Sequence, residues 1–457
     1  MTSQSNSILV AGPGELDPQF AAQGVLDIPS GEGSIRAIVA DGQGAYLVAV
    51  WVSSQCWLYR IFSDGGLDTQ YGQNGVSKWS FVPGVDSLPT ELIMQPDGKV
   101  ILLGKVGDDP FKRQTAITRF NVGGSPDLVF RTRVLPDIDM SLPAGCLQAD
   151  GKILVLVNRL NSSTTEHELV LYRFMSTGDP DGAFGGQGFV NILFNDERSD
   201  GKSVAVTDDA KILVGGTVTR DTKTTKAVGR FHSTGALDSS FGRAGYWESA
   251  SGLAMGKMIV DGDTIICVGN AQVNGSSVAA VSRVTAEGVT DPAFNNGTAA
   301  TIDIRADFPG LYVICRSVVV QSDKGIVFAG EAGGSIKAYV GRLSAGGAID
   351  SGFGDQGLSS GLRKVWCTTC AFNRVGRDSL SPVTWEIHPD FRKYWGSDFN
   401  LAPSRAVSVE IRRRRVSTDV PGCYLANNCP ISLNALNSSA LPHGSNRNIV
   451  ACSPTSP

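Results

Sequence analysis

A chain of 457 residues with 54 glycines, 42% hydrophobic residues and a formal net charge of −4 can hold several domains or one large repeat architecture. Glycine well above the usual ~7%, beside a normal apolar fraction, excludes both a collagen and a disordered chain and implies many turns. The acidic balance offers no basic surface for nucleic acid, and no run of about 18 apolar residues is present to span a membrane.

The N-terminus, "MTSQSNSILVAGPG", lacks the basic and long apolar regions of a signal peptide. The default expectation is therefore a cytoplasmic chain, with export lacking a cleaved signal as the alternative. Next comes "GELDPQF" at 14–20, the first of seven copies of one turn element. The others are "GGLDTQYG", "GSPDLVF", "GDPDGAFG", "GALDSSFG", "GVTDPAFN" and "GAIDSGFG". Their aspartates, Asp17, Asp68, Asp127, Asp181, Asp238, Asp291 and Asp350, are 51 to 59 residues apart, which defines a period of about 55 residues.

Every turn after the first is preceded by an arginine in a strand-like run. Arg60, Arg119, Arg173, Arg230, Arg283 and Arg342 each stand eight residues before Asp68, Asp127, Asp181, Asp238, Asp291 and Asp350. The whole unit varies in length by up to eight residues, so insertions are tolerated elsewhere but not between these two positions. A third landmark is a hairpin signal followed by an apolar run, as in "QPDGKVILLG" and "QADGKILVLV". Asp-Gly between apolar segments points to a type I′ hairpin. The continuous apolar run after it reads as an inner strand buried on both faces.

Each period thus predicts a glycine-rich turn and four short strands, the size of a propeller blade. A β-solenoid is the structural alternative, although its rungs are usually shorter. Stacking such sheets around an axis covers their faces, and closing the ring shields the ends. The expected fold class is all-β, a β-propeller of about 55-residue four-stranded blades, six of them intact. The expected domains are an extension at 1–13, propeller repeats at 14–360 and a non-repeat tail at 361–457.

The ordered set L-D-x-x-F-G-x-x-G, Q-x-D-G-K-I-L-V-x-G and R-F-x-x-x-G resembles the delta-60 repeat family of bacterial proteins over residues 14–360. The resemblance implies a β-propeller. It implies no family-wide activity, cofactor or catalytic residue.

After residue 360 the pattern stops: glycine falls to 5 in 97 residues and net charge turns to +6. A small metal or disulfide domain is one reading, with "CTTC" at 367–370 as a half-site and Cys423 and Cys429 as the other half. Their unequal spacing, and the reduced state of cytoplasmic thiols, weigh against it.

A slipped reading frame explains more. If each original codon is the last base of one present codon plus the first two of the next, "WCTTCAFNRVGRDSLSPVT" back-reads as V-H-D-L-R-V-Q-P-G-G-K-G-Q-P-I-A-G, and "GSDFNLA" as Q-R-F-Q-P-G. The recovered Lys (codons 376/377) and Arg (codons 397/398) are 21 apart, against 20 from Lys99 to Arg119 and 21 from Lys152 to Arg173. The closing Leu-Asp does not reappear. This reading leaves six intact blades and a first-strand stub, an open question over ring closure, and an expectation of poor solubility from exposed blade faces.

The Arg and Asp positions form either a ring of charges for a ligand or a repeated brace. A catalytic site is normally unique, and six occurrences favour the brace. The aromatics Phe20, Tyr71, Phe130, Phe184, Phe241, Phe294 and Phe353 are expected between blades, with a sugar platform as the alternative. "DPDGAFGG" at 179–186 and "DGD" at 261–263 offer calcium-compatible oxygens without forming a complete loop. Cys56, Cys146, Cys267 and Cys315 read as small buried hydrophobes.

No nucleophile elbow, paired-histidine or phosphate-loop motif is present. The sequence therefore points to a non-enzymatic binding or scaffolding module for a protein or carbohydrate partner, with no cofactor and no catalytic residue. The alternatives are a propeller hydrolase or lyase acting on a sugar or lactone with a channel metal, and a surface or secreted adhesion-type protein. The longer segments between turn and hairpin, such as 305–317, are the expected contact surface.

Overall fold

Pro96 and Gly98 decide how the second hairpin turns. Proline fixes φ near −65°, which suits the second position of a type I turn. The chain forms such a turn, with Gln95 O accepting from Gly98 N at 3.0 Å, and Gly98 follows in the left-handed region at φ 79°. Asp97 Oδ1 accepts from Lys99 N at 3.1 Å and closes the loop. The type I′ expectation fails because the loop has three residues, Gln95 N donating to Lys99 O at 2.9 Å, so only the last of them takes positive φ; Gln148–Lys152 closes in the same way without a proline.

The computed structural model describes residues 12–22, 24–30, 33–160, 167–194, 199–304, 312–332, 337–362 and 384–385. The tail motif at 367–370, together with Cys423 and Cys429, lies outside them, as does the basic run "RRRR" at 412–415. The chain divides into two compact units, 1–394 and 395–457, and the second lies wholly outside the described residues.

The fold is a β-propeller of four-stranded blades. Among the described residues six antiparallel meanders follow one another. The first is Ser34–Ala40, Ala45–Val52, Gln55–Phe62 and Ser77–Trp79. The second is Ser87–Met94, Val100–Val106, Gln114–Phe120 and Arg133–Asp139. The third is Ala144–Leu147, Ile153–Leu160, His167–Phe174 and Phe189–Ile192, and short pairing at Arg159↔Asp139 joins it to the second. The fourth is Ser199–Val206, Ile212–Arg220, Lys223–Phe231 and Tyr246–Glu248. The fifth is Leu253–Asp261, Thr264–Val273, Ser276–Thr285 and Ala300–Ile302. The sixth is Val313–Val320, Ile326–Ala332, Lys337–Leu343 and Leu358–Leu362.

The first strands of successive blades touch one another and form the inner ring. The apolar run after each hairpin is therefore the second strand, one position out from the axis. Every residue of Val100–Val106 is buried, as expected for a strand covered on both faces.

Apolar layers fill the spaces between blades. Tyr71 lies in the layer between the first and second blades, Phe130 between the second and third, and Phe184 between the third and fourth. Phe241 and Phe294 occupy the next two layers, and Phe20 packs on the first blade with Val48, Val50 and Tyr59. The seven aromatics are packing residues, each buried in its layer.

The question of ring closure is answered by the turns. The residue after the aromatic of one turn donates its amide to the next: Gly72 to Gly123 O, Gly185 to Thr234 O, Gly242 to Glu287 O and Asn295 to Gly346 O. The same bond runs from Gly354 to Pro13 O at 2.8 Å and from Ala21 to Asp64 O at 2.8 Å. Between the third and fourth turns Arg119 Nη1 donates to Ser176 O at 2.6 Å, and Gly178 lies against the Phe130 ring. The seven turns thus close a circle, with the N-terminal turn between the last and the second.

Five of the six inner strands carry a β-bulge at one place, as between Met255 and Lys257 or Cys315 and Ser317. Opposite the bulge, in four of these five, the second strand has glycine: Gly104, Gly216, Gly269 and Gly330. A Cβ at Gly269 would lie 1.9 Å from Ala254 O, so no other residue fits there.

Candidate functional site

Arg230 shows what the recurring charged residues do. It ends the third strand of its blade, and its Nε donates to Asp238 Oδ2 at 2.9 Å, while Nη1 donates to Ala286 O of the following turn at 2.6 Å. The guanidinium carbon stands 4.8 Å from the Phe241 ring centroid. One side chain thereby ties its own turn, the next blade and the packing aromatic together. Asp238 Oδ1 meanwhile accepts from the Ser240 amide and hydroxyl, so the carboxylate is fully engaged.

The arrangement repeats. Arg119, Arg173 and Arg283 donate to Asp127, Asp181 and Asp291 at 2.9, 2.8 and 2.6 Å, and lie 4.7, 4.3 and 5.0 Å from Phe130, Phe184 and Phe294. Arg60 bridges Asp68 and Asp41, and Arg342 bridges Asp350 and Asp323. A member not anticipated from sequence is the lysine of the Asp-Gly-Lys hairpin. Lys99 and Lys211 reach Asp127 and Asp238 at 2.9 and 3.0 Å, and Lys152 stands 3.5 Å from Asp181. Its fixed place after the hairpin was the available signal.

These contacts set the charge states. Burial alone would raise Asp127, but hydrogen bonds from Lys99, the Val129 amide and Arg119 reverse it and hold the carboxyl at about 2. The Ser240 hydroxyl, followed by Lys211 and Arg230, holds Asp238 well below the usual carboxylate range.

At the axis, Lys257 of the fifth blade and Glu91 of the second form an ion pair at 2.8 Å, and Glu91 Oε2 accepts from Gly145 N of the third blade at 2.7 Å. Three inner strands are linked by one carboxylate. Arg36, Lys202 and Arg316 occupy the bulge position of three further inner strands, with Arg316 bound to Glu331 at 2.6 Å.

Other perturbed groups are sealed. Asp139 is 2% exposed, and burial pushes its carboxyl up to about 6 against hydrogen bonds from Ser141 N and Thr115. Lys226 is 0% exposed, donates to Cys267 O and Ala280 O, and burial lowers it to about 8. Burial raises the thiols of Cys146 and Cys267 to about 12; Cys267 is buried, whereas Cys146 is only half-buried and departs from the buried position expected of it. The calcium-compatible oxygens are occupied by cations: Asp179 pairs with Arg133, Asp181 with Arg173, and Asp261 with Lys324. Among the described residues no group of three His, Cys, Asp or Glu side chains is placed to hold a metal ion.

Exposed apolar side chains gather on the turn face. Leu128 and Val129 are 85% and 77% exposed, and Val122, Leu237, Val289 and Ile349 are exposed around the same circle. A groove of about 480 Å³ runs between the outer strands of the fifth and sixth blades, lined by Ala300, Ile302, Asp303, Leu343 and Asp355. Residues 305–311 of the expected contact segment lie outside the described residues. No helix is long and apolar enough to cross a membrane among the described residues.

A family model described as a β-propeller domain of unknown function, DUF5122, matches residues 208–241, which cover the hairpin, two strands and turn of the fourth blade. No curated protein matches the sequence. An inactive variant of virginiamycin B lyase from Staphylococcus aureus, solved with quinupristin, is similar at 14% identity and a TM-score of 0.39 over 71% of this chain and 86% of that one. A Hadza microbial sialidase is similar at 12% identity and a TM-score of 0.38 over 66% and 67% of the two chains. A putative exo-β-1,3-galactanase from Bifidobacterium bifidum gives 11%, 0.36, 63% and 93%.

Proposed function

We propose that this β-propeller is a non-enzymatic binding or scaffolding module whose contact surface is the turn face, for a protein or carbohydrate partner. The observation that carries the reading is the exposure of Leu128 and Val129 beside braces in which the recurrent charged groups are already paired. Apolar side chains held out of the core on rigid turns are suited to association, and Arg119 and Asp127 fix their backbone. The perturbed groups that could serve as acid or base, Asp139 and Lys226, are sealed from solvent.

The test is a direct binding screen of the purified chain against oligosaccharide and protein panels, alongside turnover assays on sugar and lactone substrates. Binding that is lost in Leu128→Asp and Val129→Asp, with melting unchanged, supports the reading. Turnover of any substrate, or a divalent metal that raises the melting temperature, would overturn it in favour of a hydrolase or lyase.

A further inference from the structure

We propose that the propeller has a seventh blade divided between the two ends of the repeat region. Its turn and outer strand lie at 14–26. Its three inner strands are encoded after Leu362, in the frame that takes the last base of each present codon with the first two of the next.

The N-terminal turn is built like the other six. Phe20 N donates to Asp17 O at 3.1 Å, Gln19 N to Asp17 Oδ1 at 2.9 Å and Gly24 N to Phe20 O at 2.7 Å. The corresponding bonds in the fifth copy run from Phe241 to Asp238, Ser240 to Asp238 and Gly245 to Phe241. Val25–Leu26 begins eight residues after Asp17, as Tyr246–Glu248 begins eight after Asp238. The circle of turns places this copy after the sixth blade and before the first, through Gly354 to Pro13 and Ala21 to Asp64.

What this copy lacks in its own stretch of chain is the strand that ends in arginine. The residue eight positions before Asp17 is Leu9. In all six other copies the amide of the aspartate donates to the carbonyl of that arginine, as Asp238 N does to Arg230 O at 2.9 Å. Two apolar sheet faces flank the position: Val48, Val50 and Tyr59 of the first blade, and Val327, Ala329 and Val340 of the sixth. A sheet of strands between them is what every other pair of faces in the ring encloses.

Two observations favour the shifted frame as its source. Val25–Leu26 pairs in parallel with Thr384–Trp385, whereas every other outer strand pairs antiparallel with the third strand of its own blade. The back-read segment supplies hairpin, lysine and arginine at repeat spacing, and then lacks Leu-Asp. Leu16 and Asp17 are that missing pair, so a repeat that stops at its arginine is the complement of one that starts at its turn.

The test compares the full chain as it stands with one in which the frame is restored, each with and without Asp17→Ala. The restored chain is expected to melt higher, on the order of 5 °C. Asp17→Ala should remove most of that gain and change the present chain little, and substituting the restored arginine by alanine should add nothing further. As a second readout, amide exchange at Phe20–Leu26 should slow at least tenfold in the restored chain. A restored chain that fails to fold, melts no higher, or responds to Asp17→Ala as the present chain does would overturn the proposal.

Discussion

Arg230 Nε lies 2.9 Å from Asp238 Oδ2 while the same guanidinium donates to Ala286 O in the next blade, so one residue fixes both a turn and a junction. Arg230→Ala leaves a carboxylate that is 5% exposed with Ser240 and Lys211 as its remaining partners. The expected loss is about 2–4 kcal/mol, read as a fall in chemical-denaturation midpoint. Arg230→Lys should recover little of it, because a single ammonium cannot serve Asp238 and Ala286 O together. A variant that unfolds at the same midpoint but loses a binding interaction would overturn the structural role.

Acid should loosen the turns. Asp127 is held at about 2 in the folded chain against an ordinary 3.8, so its contribution is fully present above 3.8 and disappears as pH falls through 2. Stability should drop between pH 4 and 2. In Asp127→Asn the slope of unfolding free energy against pH in that window should decrease by up to one proton, measured by urea unfolding at stepped pH.

Lys226 predicts a rise of stability with pH at the alkaline end as well. Its folded value is lowered from 10.5 to about 8 by burial, so the folded chain binds fewer protons than the unfolded one between these values. Stability should therefore rise as pH climbs from 8 to 10.5, by a quantity on the order of 3 kcal/mol from this group. Lys226→Met should abolish the rise and should stabilise the protein at pH 7 by about 1–3 kcal/mol. Thermal melts of both proteins at pH 7 and pH 10 decide the matter.

Ala210 takes the hairpin position that glycine fills in the second and third blades, at φ 62° beside 79° for Gly98 and 81° for Gly151. A Cβ in that region is strained. Ala210→Gly should stabilise the fourth blade by about 0.5–1 kcal/mol, and Gly151→Ala should cost a similar amount or more, each measured by equilibrium unfolding.

The constant interval from Arg60 to Asp68, repeated to Arg342 and Asp350, makes the blade legible in the sequence, because both positions lie within one local segment. The Asp-Gly pairs mark where the hairpins lie but not their type, because the loop length that decides it is set by strand pairing, as from Gln95 N to Lys99 O and Gln148 N to Lys152 O. The apolar run reads as an inner strand in the sequence and is the second strand in the structure, because periodicity reports burial on both faces and not position in a sheet. Glu91 and Lys257 could not be paired from sequence, as the contact joins residues 166 apart across the ring. Closure of the ring was equally hidden, because Gly354 and Pro13 meet only through the folded circle of turns.

The glycine opposite four of the five inner-strand bulges has a consequence for how the sheets assemble. A second strand such as Val100–Val106 is apolar on both faces, so its hydrophobic pattern does not distinguish the native alignment from a slip of one or two residues. Gly104 does, because only at that residue can the Leu88 carbonyl come as close as the bulge requires. A chain of near-identical neighbours is exposed to misalignment and to exchange of strands between copies. Four such notches at 104, 216, 269 and 330 give the second strands an index mark that apolarity alone would deny them.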